Sequence, residues 1–422
     1  MKFDTVCVQG TYQPKTTEPR VVPINQSTTY YFENSEELAH LFDSPKDGHI
    51  YTRISNPTTA AFEEKIALME GGVAAMACGS GMAATLAAVL NVANGGDNII
   101  SFSTIYGGTF NLFKNTLPKY GVTTRFFTPQ MSDKEVEALI DPNTKLMFAE
   151  TIANPAMAVF DFDRYAAICK KHGILLVIDA TLTTPALNRP FEFGANVVVH
   201  STSKYLDGHA VAVGGVLVDG GNFDFSGNPR YKDFYTPDAS YHGITYVGEG
   251  GKAAFALKAR MQLMRDLGLT PGPFNAWLTN LGCETLHLRM ERHSSNALAA
   301  AKMLEAHKNV EFVLYPDLEK DKWHKIASKY YKKGCGGMLA FSVKGGRAKA
   351  AEFIEGLKLI KQVTHIADTR SCVLHPATTT HRQLSDADLL KAGITPGYVR
   401  LSIGIEDVTD IVEDIKQALD KV

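Results

Sequence analysis

The sequence has little of what marks metal-binding, disulfide-bonded and membrane-spanning proteins. Only 6 cysteines occur in 422 residues, and they lie far apart with no C-x-x-C pair, which argues against zinc ribbons and disulfide frameworks. The 13 histidines show no spacing that would place two metal ligands on one helix face. Apolar runs such as Ile174–Ile178 are far too short to cross a bilayer. These absences predict a protein of a reducing compartment, the cytoplasm, with no metal site and no membrane contact.

An excess of charge of one sign is also missing. Lys and Arg number 43 against 45 Asp and Glu, a formal net charge of −2, so no overall field attracts nucleic acid or an anionic membrane. Hydrophobic residues make up 45% and charged residues 21%, the balance of an ordinary globular protein. We therefore expect small molecules as partners, and no nucleic acid.

The chain divides into three predicted regions. Residues 1–55 are polar and rich in turn formers, which predicts an extended arm of the kind that reaches a neighbouring subunit. Residues 56–255 alternate between helical and strand-like segments, which predicts an α/β domain with a mostly parallel central sheet covered by helices. Residues 256–422 predict a smaller α+β domain. The aromatic-rich segment 219–246 lacks periodicity and is predicted to be a functional or interface loop.

Two candidate catalytic residues follow neighbouring strands of the predicted sheet. The strand Ile174–Ile178 delivers Asp179, and the strand Val197–Val199 is followed by HSTSK, which ends at Lys204. A lysine that forms a Schiff base with pyridoxal phosphate works with a carboxylate at the ring nitrogen, which keeps the electron sink protonated. Taken singly, the two residues are an ordinary turn cap and an exposed lysine. Together, at one edge of the sheet, they predict a pyridoxal phosphate site.

A phosphate group also needs an anion-binding site. The segment Ser80-Gly81-Met82 precedes an Ala-rich helix whose free N-terminal amides would point at an anion. Ser201 and Ser203 could add hydroxyl donors. Viewed alone, the segment is equally well an ordinary helix start with Ser80 as the N-cap.

The same glycines permit a rival interpretation. Gly79-x-Gly81-x-x-Ala84 fits the dinucleotide-binding pattern, and Asp97 follows at a suitable distance. The context is poor, because Asp97 precedes its strand whereas the ribose-binding acid should follow one. A nicotinamide- or flavin-dependent dehydrogenase therefore stays a distant alternative, as does a protein of the same fold that binds its cofactor without turnover.

Two further residues fit a cofactor site without proving one. Tyr106 follows the strand Asn98–Phe102 and could stack on a planar ring, although packing is the commoner use of such a tyrosine. Arg400 lies inside the apolar strand Tyr398–Ile403, a costly position unless its guanidinium meets a carboxylate. That carboxylate would belong either to an internal salt bridge or to a substrate.

Several longer passages extend this pattern over most of the chain. They are YTRISNPT from Tyr51, CGSGMAA from Cys78, ETIANP from Glu150, VIDAT from Val177, VVVHSTSKYLDGH from Val197 and VRLSIGIED from Val399. From about residue 5 to the C terminus, the sequence resembles the Cys/Met-metabolism family of pyridoxal phosphate enzymes. The resemblance implies the type I fold of these transferases.

The resemblance also implies a role for each candidate residue. Lys204 would bind the cofactor covalently, Asp179 would contact the ring nitrogen and Tyr106 would stack on the ring, and these three would be the catalytic residues. Asn154 would lie near the phenolic oxygen of the cofactor, and Arg400 would bind the substrate α-carboxylate. The other residues implied to bind the cofactor are Ser80, Gly81, Met82, Ser201, Ser203 and, from the neighbouring subunit, Tyr51 and Arg53. Tyr51 would also contact substrate.

Within this family, three passages are similar to the O-acetylhomoserine sulfhydrylases: YGGTFNLF from Tyr106, the insertion 219–246 and DTRSCVLHPATTTHRQL from Asp368. The resemblance implies that sulfide or a thiol replaces the acetoxy group of O-acetyl-L-homoserine, in a homotetramer whose sites are shared between the subunits of a dimer. A methionine γ-lyase or a cystathionine γ-synthase is the alternative. Gly108, where γ-lyases usually have cysteine, favours replacement, as does the segment 219–246, which is expected to help cover the site and exclude water.

Overall fold

The computed structural model describes residues 1–43, 47–379 and 394–422, and within them the strands form two sheets. The strands of the larger sheet are β1 (Ala74–Cys78), β2 (Asn98–Phe102), β3 (Thr123–Phe127), β4 (Thr144–Glu150), β5 (Leu175–Asp179), β6 (Val197–Ser201) and β7 (Gly215–Asp219). The strands of the smaller sheet are β8 (Val310–Leu314), β9 (Met338–Val343), β10 (Lys361–Gln362), β11 (Cys372–Leu374) and β12 (Tyr398–Ser402).

Helices connect these strands and cover the sheets. In chain order they are α1 (Phe3–Gln9), α2 (Ser35–Asp43), α3 (Pro57–Glu70), α4 (Gly81–Leu90), α5 (Gly107–Asn111), α6 (Asp133–Glu137), α7 (Phe162–His172), α8 (Thr184–Leu187), α9 (Tyr246–Gly250), α10 (Ala254–Lys258), α11 (Arg265–Leu267), α12 (Pro273–Glu284), α13 (Leu286–Ala306), α14 (His324–Tyr330), α15 (Gly346–Gly356) and α16 (Val408–Leu419). Among the described residues, no helix is both long and apolar enough to span a membrane.

The larger sheet has the order β1-β7-β6-β5-β4-β2-β3. The five strands from β6 to β3 run parallel, whereas β7 is antiparallel to both of its neighbours. The sequence prediction of a mostly parallel α/β sheet with a smaller C-terminal sheet is confirmed. Because β4, β5 and β6 run parallel, the residues at their C-terminal ends meet at one edge of the sheet.

Burial explains why the central strands read as unbroken apolar runs. Leu175 to Ile178 of β5 and Val197 to His200 of β6 are buried throughout, as expected for strands that are covered on both faces. The helix α4 packs on β6 and β7, and α7 packs on β5. The helix α7 ends at Gly173, whose φ of +62° is a conformation that glycine adopts without a steric penalty.

The N-terminal arm is less extended than the sequence predicted. It begins with α1, in which Val6 and Cys7 are buried, and it contains α2. The start of α2 is stabilised because the Asn34 side chain accepts a hydrogen bond from the backbone N–H of Glu37, at 2.9 Å. Short polar helices of this kind have too few apolar positions to show a helical period in the sequence.

Two other features of local structure were not predicted. The helical segment after β2 is irregular: α5 is followed by a π-helical turn at Leu112–Thr116 and a 3-10 turn at Leu117–Tyr120. Pro118 lies within this last turn and lacks a backbone N–H, so a regular helix would lose a hydrogen bond there. The antiparallel strands β1 and β7 were not predicted, since each is a short run of small or apolar residues beside glycines.

Residues 223–234 of the segment 219–246 lie away from the C-terminal strand ends of their own chain, so they do not cover a site there as the sequence analysis expected. The Tyr231 hydroxyl accepts a hydrogen bond from the backbone N–H of Leu175, at 3.0 Å, and donates one to the backbone oxygen of Lys145. These two residues lie at the starts of β5 and β4, at the opposite edge of the sheet. The aromatic rings of the segment pack there, with Phe225 stacked on Phe234 at 4.0 Å between centroids.

The smaller sheet has the order β10-β11-β12-β9-β8 and is antiparallel except for the β10–β11 pair. The helix α16 buries Ile411, Ile415 and Leu419 and packs against α13 and α15. Part of the passage from Asp368, residues 380–384, lies outside the described residues. The domain boundaries 1–55, 56–255 and 256–422 stay a prediction.

Candidate active site

A cavity of about 440 Å³ opens at the C-terminal ends of β4, β5 and β6. Its walls also include the start of α4 and residues from the smaller sheet's domain. The predicted site residues that line it are Ser80, Gly81, Met82, Tyr106, Asn154, Asp179, Ser201, Ser203, Lys204 and Arg400. The structure therefore brings ten residues together from six separate segments of the chain.

Asp179 and Lys204 meet in this cavity for the topological reason that the sequence indicated. Asp179 ends β5 and its Oδ1 accepts a hydrogen bond from the backbone N–H of Thr181, at 2.9 Å. Ser201 ends the adjacent strand β6 and its backbone N–H donates to the Thr181 hydroxyl, at 2.8 Å. Lys204 lies in the turn after β6. Burial raises the pKa of the Asp179 carboxyl, whereas burial and then the Arg400 charge lower the pKa of the Lys204 amine.

The start of α4 provides a site for an anion. The Ser80 hydroxyl accepts a hydrogen bond from the backbone N–H of Ala83, at 3.1 Å, so Ser80 is the N-cap that its sequence position allowed. The amides of Gly81 and Met82 lie in the first turn, where a helix offers no acceptor. A Cβ at Gly81 would lie 2.6 Å from the Cβ of Ser201. Only glycine therefore lets the helix start approach the end of β6 this closely.

The two serines near β6 differ in their hydrogen bonds. The Ser203 hydroxyl accepts from the backbone N–H of Gly214 at 3.1 Å and lies 3.3 Å from its carbonyl oxygen, to which it donates. Its orientation is therefore fixed by the backbone that leads into β7. The Ser201 side chain faces the cavity beside Gly81. Both serines line the cavity, and Ser201 lies beside Gly81 at the start of α4.

Glu150 organises the part of the cavity wall that contains Tyr106 and Asn154. The sequence analysis did not assign it a role. It ends β4 and is the register partner of Asp179 on β5. Its Oε1 accepts a hydrogen bond from the backbone N–H of Tyr106, and its Oε2 accepts one from that of Asn154, at 3.2 Å. Burial, and next the charge of Asp179, raise the pKa of Glu150 well above its ordinary value. The buried Glu150 carboxyl thus fixes the backbone at Tyr106 and at Asn154, both of which are candidate cofactor-binding residues.

Tyr106 itself is 51% exposed at the mouth of the cavity. A Cβ at Gly108 would lie 2.5 Å from the Cε1 atom of its ring. The ring can keep this position only because residue 108 has no side chain.

Arg400 reaches the cavity from β12 of the smaller sheet. Within the described residues, the Arg400 Nη1 donates a hydrogen bond to the Oδ1 of Asn154, at 3.3 Å, and not to a carboxylate. Burial lowers the pKa of the guanidinium. The internal salt bridge that was one explanation for this arginine is therefore not formed by the described residues. A half-buried guanidinium with donors to spare suits an incoming carboxylate.

Tyr51 and Arg53 are the two predicted site residues that do not line this cavity. The Arg53 guanidinium lies over the Tyr51 ring, 5.2 Å from its centroid, and donates a hydrogen bond to the backbone oxygen of Arg265. The Tyr51 residue is 39% exposed. In the single chain, both side chains belong to the surface and not to the site.

The dinucleotide-binding alternative is not supported by the geometry. Asp97 lies before β2 at the edge of the sheet opposite the cavity, where its carboxylate is 3.4 Å from the Lys145 amine. It also accepts a hydrogen bond from the backbone N–H of Asn94, at 2.8 Å. The acid that the pattern requires is thus remote from the glycines at the start of α4. As for metals, residues 1–43, 47–379 and 394–422 contain no group of three potential ligands.

Besides Glu150, sequence reasoning missed Thr181 and His365, which both line the cavity. Glu150 had a recognisable signal, because it ends a buried strand of the parallel sheet just as Asp179 does. Thr181 follows Asp179 in the turn and could have been included for the same reason. His365 had none, since it lies in an irregular segment between β10 and β11.

These residues fit pyridoxal phosphate. The cavity combines a lysine whose pKa is lowered, a carboxyl at a strand end and free helix amides that suit a phosphate. The narrow approach at Gly81 leaves the helix amides open to the cavity. The fold and the site together define a pyridoxal phosphate-dependent enzyme of the type I fold.

Comparisons with known proteins agree. A family model described as Cys/Met metabolism PLP-dependent enzyme matches residues 4–420. The chain is 42% identical to the O-acetyl-L-homoserine sulfhydrylase of Leptospira meyeri, over 100% of this chain and 97% of that protein. It is 42% identical to O-acetyl-L-homoserine sulfhydrylase 1 of Thermus thermophilus, over 99% and 100% of the two chains. The chain belongs to the Cys/Met-metabolism family of pyridoxal phosphate-dependent enzymes.

A solved structure is similar over the whole fold. It is a Campylobacter jejuni protein assigned as an O-acetylhomoserine (thiol)-lyase, which contains N'-pyridoxyl-lysine-5'-monophosphate. The TM-score is 0.95 and the sequence identity 38%, with 100% of both chains covered. The expectations of the fold, of this family and of pyridoxal phosphate as the cofactor are confirmed.

Proposed function

We propose that this enzyme replaces the acetoxy group of O-acetyl-L-homoserine with sulfide, which gives L-homocysteine and acetate. A thiol in place of sulfide would give the corresponding thioether, and methanethiol would give methionine. The observation that carries the proposal is the cavity in which the Lys204 amine, the Asp179 carboxyl and the Arg400 guanidinium converge. The names of the full-length relatives from Leptospira and Thermus support the choice of substrate.

Each wall of the cavity would hold one part of the cofactor. The free amides of Gly81 and Met82 and the hydroxyl of Ser201 suit its phosphate, with Ser80 ordering the helix start. The Ser203 hydroxyl would join them by turning its proton from the Gly214 carbonyl oxygen to the phosphate. The remaining contacts would come from the Asp179 carboxylate to the ring nitrogen, the Tyr106 ring to the face of the cofactor, the Asn154 amide to its phenolic oxygen and Lys204 to its aldehyde. A cation beside Asp179 favours the ionised carboxylate.

Arg400 would bind the α-carboxylate of the amino-acid substrate. Its guanidinium offers two parallel N–H donors in a plane, the arrangement that matches both oxygens of a carboxylate. The Asn154 amide oxygen already accepts one hydrogen bond from Nη1 and limits the rotation of the side chain. Binding the carboxylate here would direct the rest of the substrate toward Lys204.

Lys204 would move the protons of the reaction. When bound, the cofactor supplies the electron-withdrawing ring that makes the Cα proton of the amino acid acidic. The Lys204 amine would take this proton, assist the removal of one from Cβ and return protons after the exchange at Cγ. In that exchange the bond from Cγ to the acetoxy oxygen breaks, acetate leaves with the electron pair, and a bond from Cγ to the sulfide sulfur forms. Tyr106 lies where it can assist as an acid or base.

The competing outcome is elimination to 2-oxobutyrate and ammonia, the reaction of a γ-lyase. The glycine at position 108 favours replacement, because it lets the Tyr106 ring lie across the cavity mouth. With O-acetyl-L-homoserine and saturating sulfide, we expect homocysteine as the main product. Both products are to be quantified in one reaction, with methanethiol as a second donor and L-methionine alone as the test for γ-lyase activity. A majority of 2-oxobutyrate in the presence of sulfide would overturn the proposal.

The active unit would be a dimer within a homotetramer, with Tyr51 and Arg53 of one subunit completing the site of the other. Two observations support this. The two side chains are remote from the cavity of their own chain. The cavity rim contains Val211 and Val213, which are 61% and 62% exposed in the single chain, and exposed apolar side chains beside a site suit a contact with a second copy.

The enzyme would act in the cytoplasm. The six cysteines are free and buried, which fits that compartment.

Mixing two inactive variants tests the shared site. Arg53→Ala and Lys204→Ala subunits should each be inactive alone, because one lacks a phosphate contact and the other the lysine. A heterodimer contains one site with both residues intact, so random mixing should restore about a quarter of the wild-type sites. Activity is to be measured after the oligomers have been dissociated, mixed and verified by native mass spectrometry.

A second mixture provides the control. Lys204→Ala and Asp179→Ala affect the same chain's contribution to a site, so their heterodimers contain no intact site and should stay inactive. No recovery in verified Arg53/Lys204 hybrids would show that each site is built from one chain.

A further inference from the structure

His365 is in direct contact with Lys204. Its Nδ1 atom lies 3.2 Å from the Nζ atom of the lysine, within hydrogen-bond distance. Lys204 belongs to the turn after β6 of the larger sheet, whereas His365 belongs to the segment between β10 and β11 of the smaller sheet. Both residues line the cavity. The contact therefore joins the lysine to the other domain across the site.

The position of His365 is fixed by the backbone around it. The backbone N–H of Ala367 donates to the Ser402 hydroxyl on β12, at 2.7 Å. The Cys372 thiol, on β11, donates to the backbone oxygen of His365 itself, at 3.2 Å. Because the segment is anchored at both sides, the His365 imidazole is a fixed hydrogen-bond partner for the Lys204 amine.

The imidazole uses only one of its nitrogens. Its Nε2 is buried and has no hydrogen-bond partner among the described residues. The nearest charged oxygen is Oδ2 of Asp368, at 3.8 Å, which is too far for a hydrogen bond but places a negative charge beside the ring. This arrangement favours the tautomer with the proton on Nε2, which leaves the lone pair of Nδ1 free to accept a hydrogen bond.

We propose that His365 is a positioning residue for Lys204: its Nδ1 accepts a hydrogen bond from the amine whenever Lys204 is not bonded to the cofactor, and holds that amine at the cavity wall. The inference deepens the proposed function and rests on it for its kinetic part. A freed lysine on a flexible stem has many rotamers, and only some of them place Nζ next to the substrate. One fixed acceptor would select among them.

The charges around His365 determine how this contact depends on pH. Lys204 and Asp207 face it from the segment after β6, and Asp368 and Arg370 face it from its own segment. Burial and then the charge of Lys204 lower the pKa of His365, so the ring is neutral at pH 7. Below its pKa, Nδ1 becomes a donor and cannot accept from the lysine. The positioning effect should therefore be lost on the acid side.

Two substitutions separate positioning from a purely structural role. His365→Leu removes the acceptor, whereas His365→Asn keeps an acceptor oxygen near the place of Nδ1 and does not titrate. The substrate-free measurement is the rate at which the cofactor-free chain incorporates pyridoxal phosphate covalently, followed by absorbance and by borohydride reduction. We expect the leucine variant to be slower by about 3- to 10-fold, the range set by one hydrogen bond, and the asparagine variant to recover most of that loss.

Turnover of O-acetyl-L-homoserine provides the second measurement. In the leucine variant we expect kcat to fall and KM to change little. In the wild type we expect kcat to decline on the acid side, at a pH lower than the ordinary histidine pKa of about 6.5, because burial lowers the pKa of His365. This decline should be absent in His365→Asn. The matched control is His242→Asn, an exposed histidine in 219–246 whose φ of +55° asparagine tolerates. It should keep the wild-type profile.

The outcomes are decisive in both directions. Wild-type incorporation by His365→Leu, or an unchanged acid decline in His365→Asn, would overturn the positioning role. If the leucine variant fails to fold, the pH profile of the asparagine variant still decides. If the wild type does not convert O-acetyl-L-homoserine, the proposed function fails, but the incorporation rates still test His365 by themselves.

Discussion

Lys204→Ala is expected to abolish covalent attachment of pyridoxal phosphate and to lower turnover by at least about 10²- to 10⁴-fold, the contribution of one positioned acid–base group. The helix amides at Gly81 and Met82 and the Asp179 carboxyl remain, so the variant should still bind the cofactor non-covalently. Its fold should also remain, because the buried stem of the lysine lines a cavity and not the core. Borohydride reduction followed by peptide mass spectrometry is the measurement, and no cofactor should be fixed to the variant.

An exposed lysine supplies the control. Lys252→Ala should retain full covalent attachment and turnover. Added primary amines should restore part of the proton transfer in Lys204→Ala, since they can occupy the space left by the side chain. Cofactor fixed by borohydride to a different lysine of the variant, with turnover preserved, would show that Lys204 is misassigned.

The site was largely predictable because parallel strands deliver their C-terminal ends to one edge. Asp179 and Ser201 each end a buried apolar strand, and this pattern is visible in the sequence without any knowledge of contacts. The glycine and serine before α4 were visible as a helix start. Long apolar strands and helix N-termini are local features, so a sequence contains them directly.

What could not be predicted depends on contacts between distant segments. Nothing local to His365 indicates that it meets Lys204, 161 positions away in the chain. The location of residues 223–234 depends on Tyr231, whose hydroxyl bonds to the starts of β4 and β5. The aromatic content of the segment 219–246 could not indicate at which edge of the sheet it packs. The strands β1 and β7 pair antiparallel with each other although most of the domain's sequence lies between them. No repeat or turn in the sequence indicates this pairing.

For Ser80 the two roles that the sequence left open are both compatible with the structure. Ser80 is a helix N-cap and also lines the cavity. The two roles are compatible, because the cap uses the Ser80 hydroxyl and leaves the amides of the first turn free for an anion. For Arg400 the alternatives were exclusive, and the guanidinium bonds to the Asn154 amide instead of a carboxylate among the described residues. Only the structure could decide between these two partners of Arg400.

Asp179→Asn is expected to retain cofactor attachment and to slow turnover strongly. The amide is the same size as the carboxylate but carries no charge, so the ring nitrogen of the cofactor would lose the group that keeps it protonated. Removing one partner of a buried ion pair costs about 3–5 kcal/mol, which corresponds to about 10²- to 10⁴-fold in rate. The loss should fall on removal of the Cα proton, so the kinetic isotope effect with α-deuterated substrate should rise toward its intrinsic limit.

A second buried aspartate distinguishes this effect from general destabilisation. Asp219 ends β7 at the opposite edge of the sheet, where it accepts hydrogen bonds from the backbone amides of Gly221 and Ala256. Asp219→Asn should lower the thermal midpoint while leaving the isotope effect and the cofactor absorbance unchanged. For Asp179→Asn we expect the reverse: a shifted absorbance and a raised isotope effect in a folded protein. Turnover at the wild-type rate in that variant would show that Asp179 does not act at the ring nitrogen.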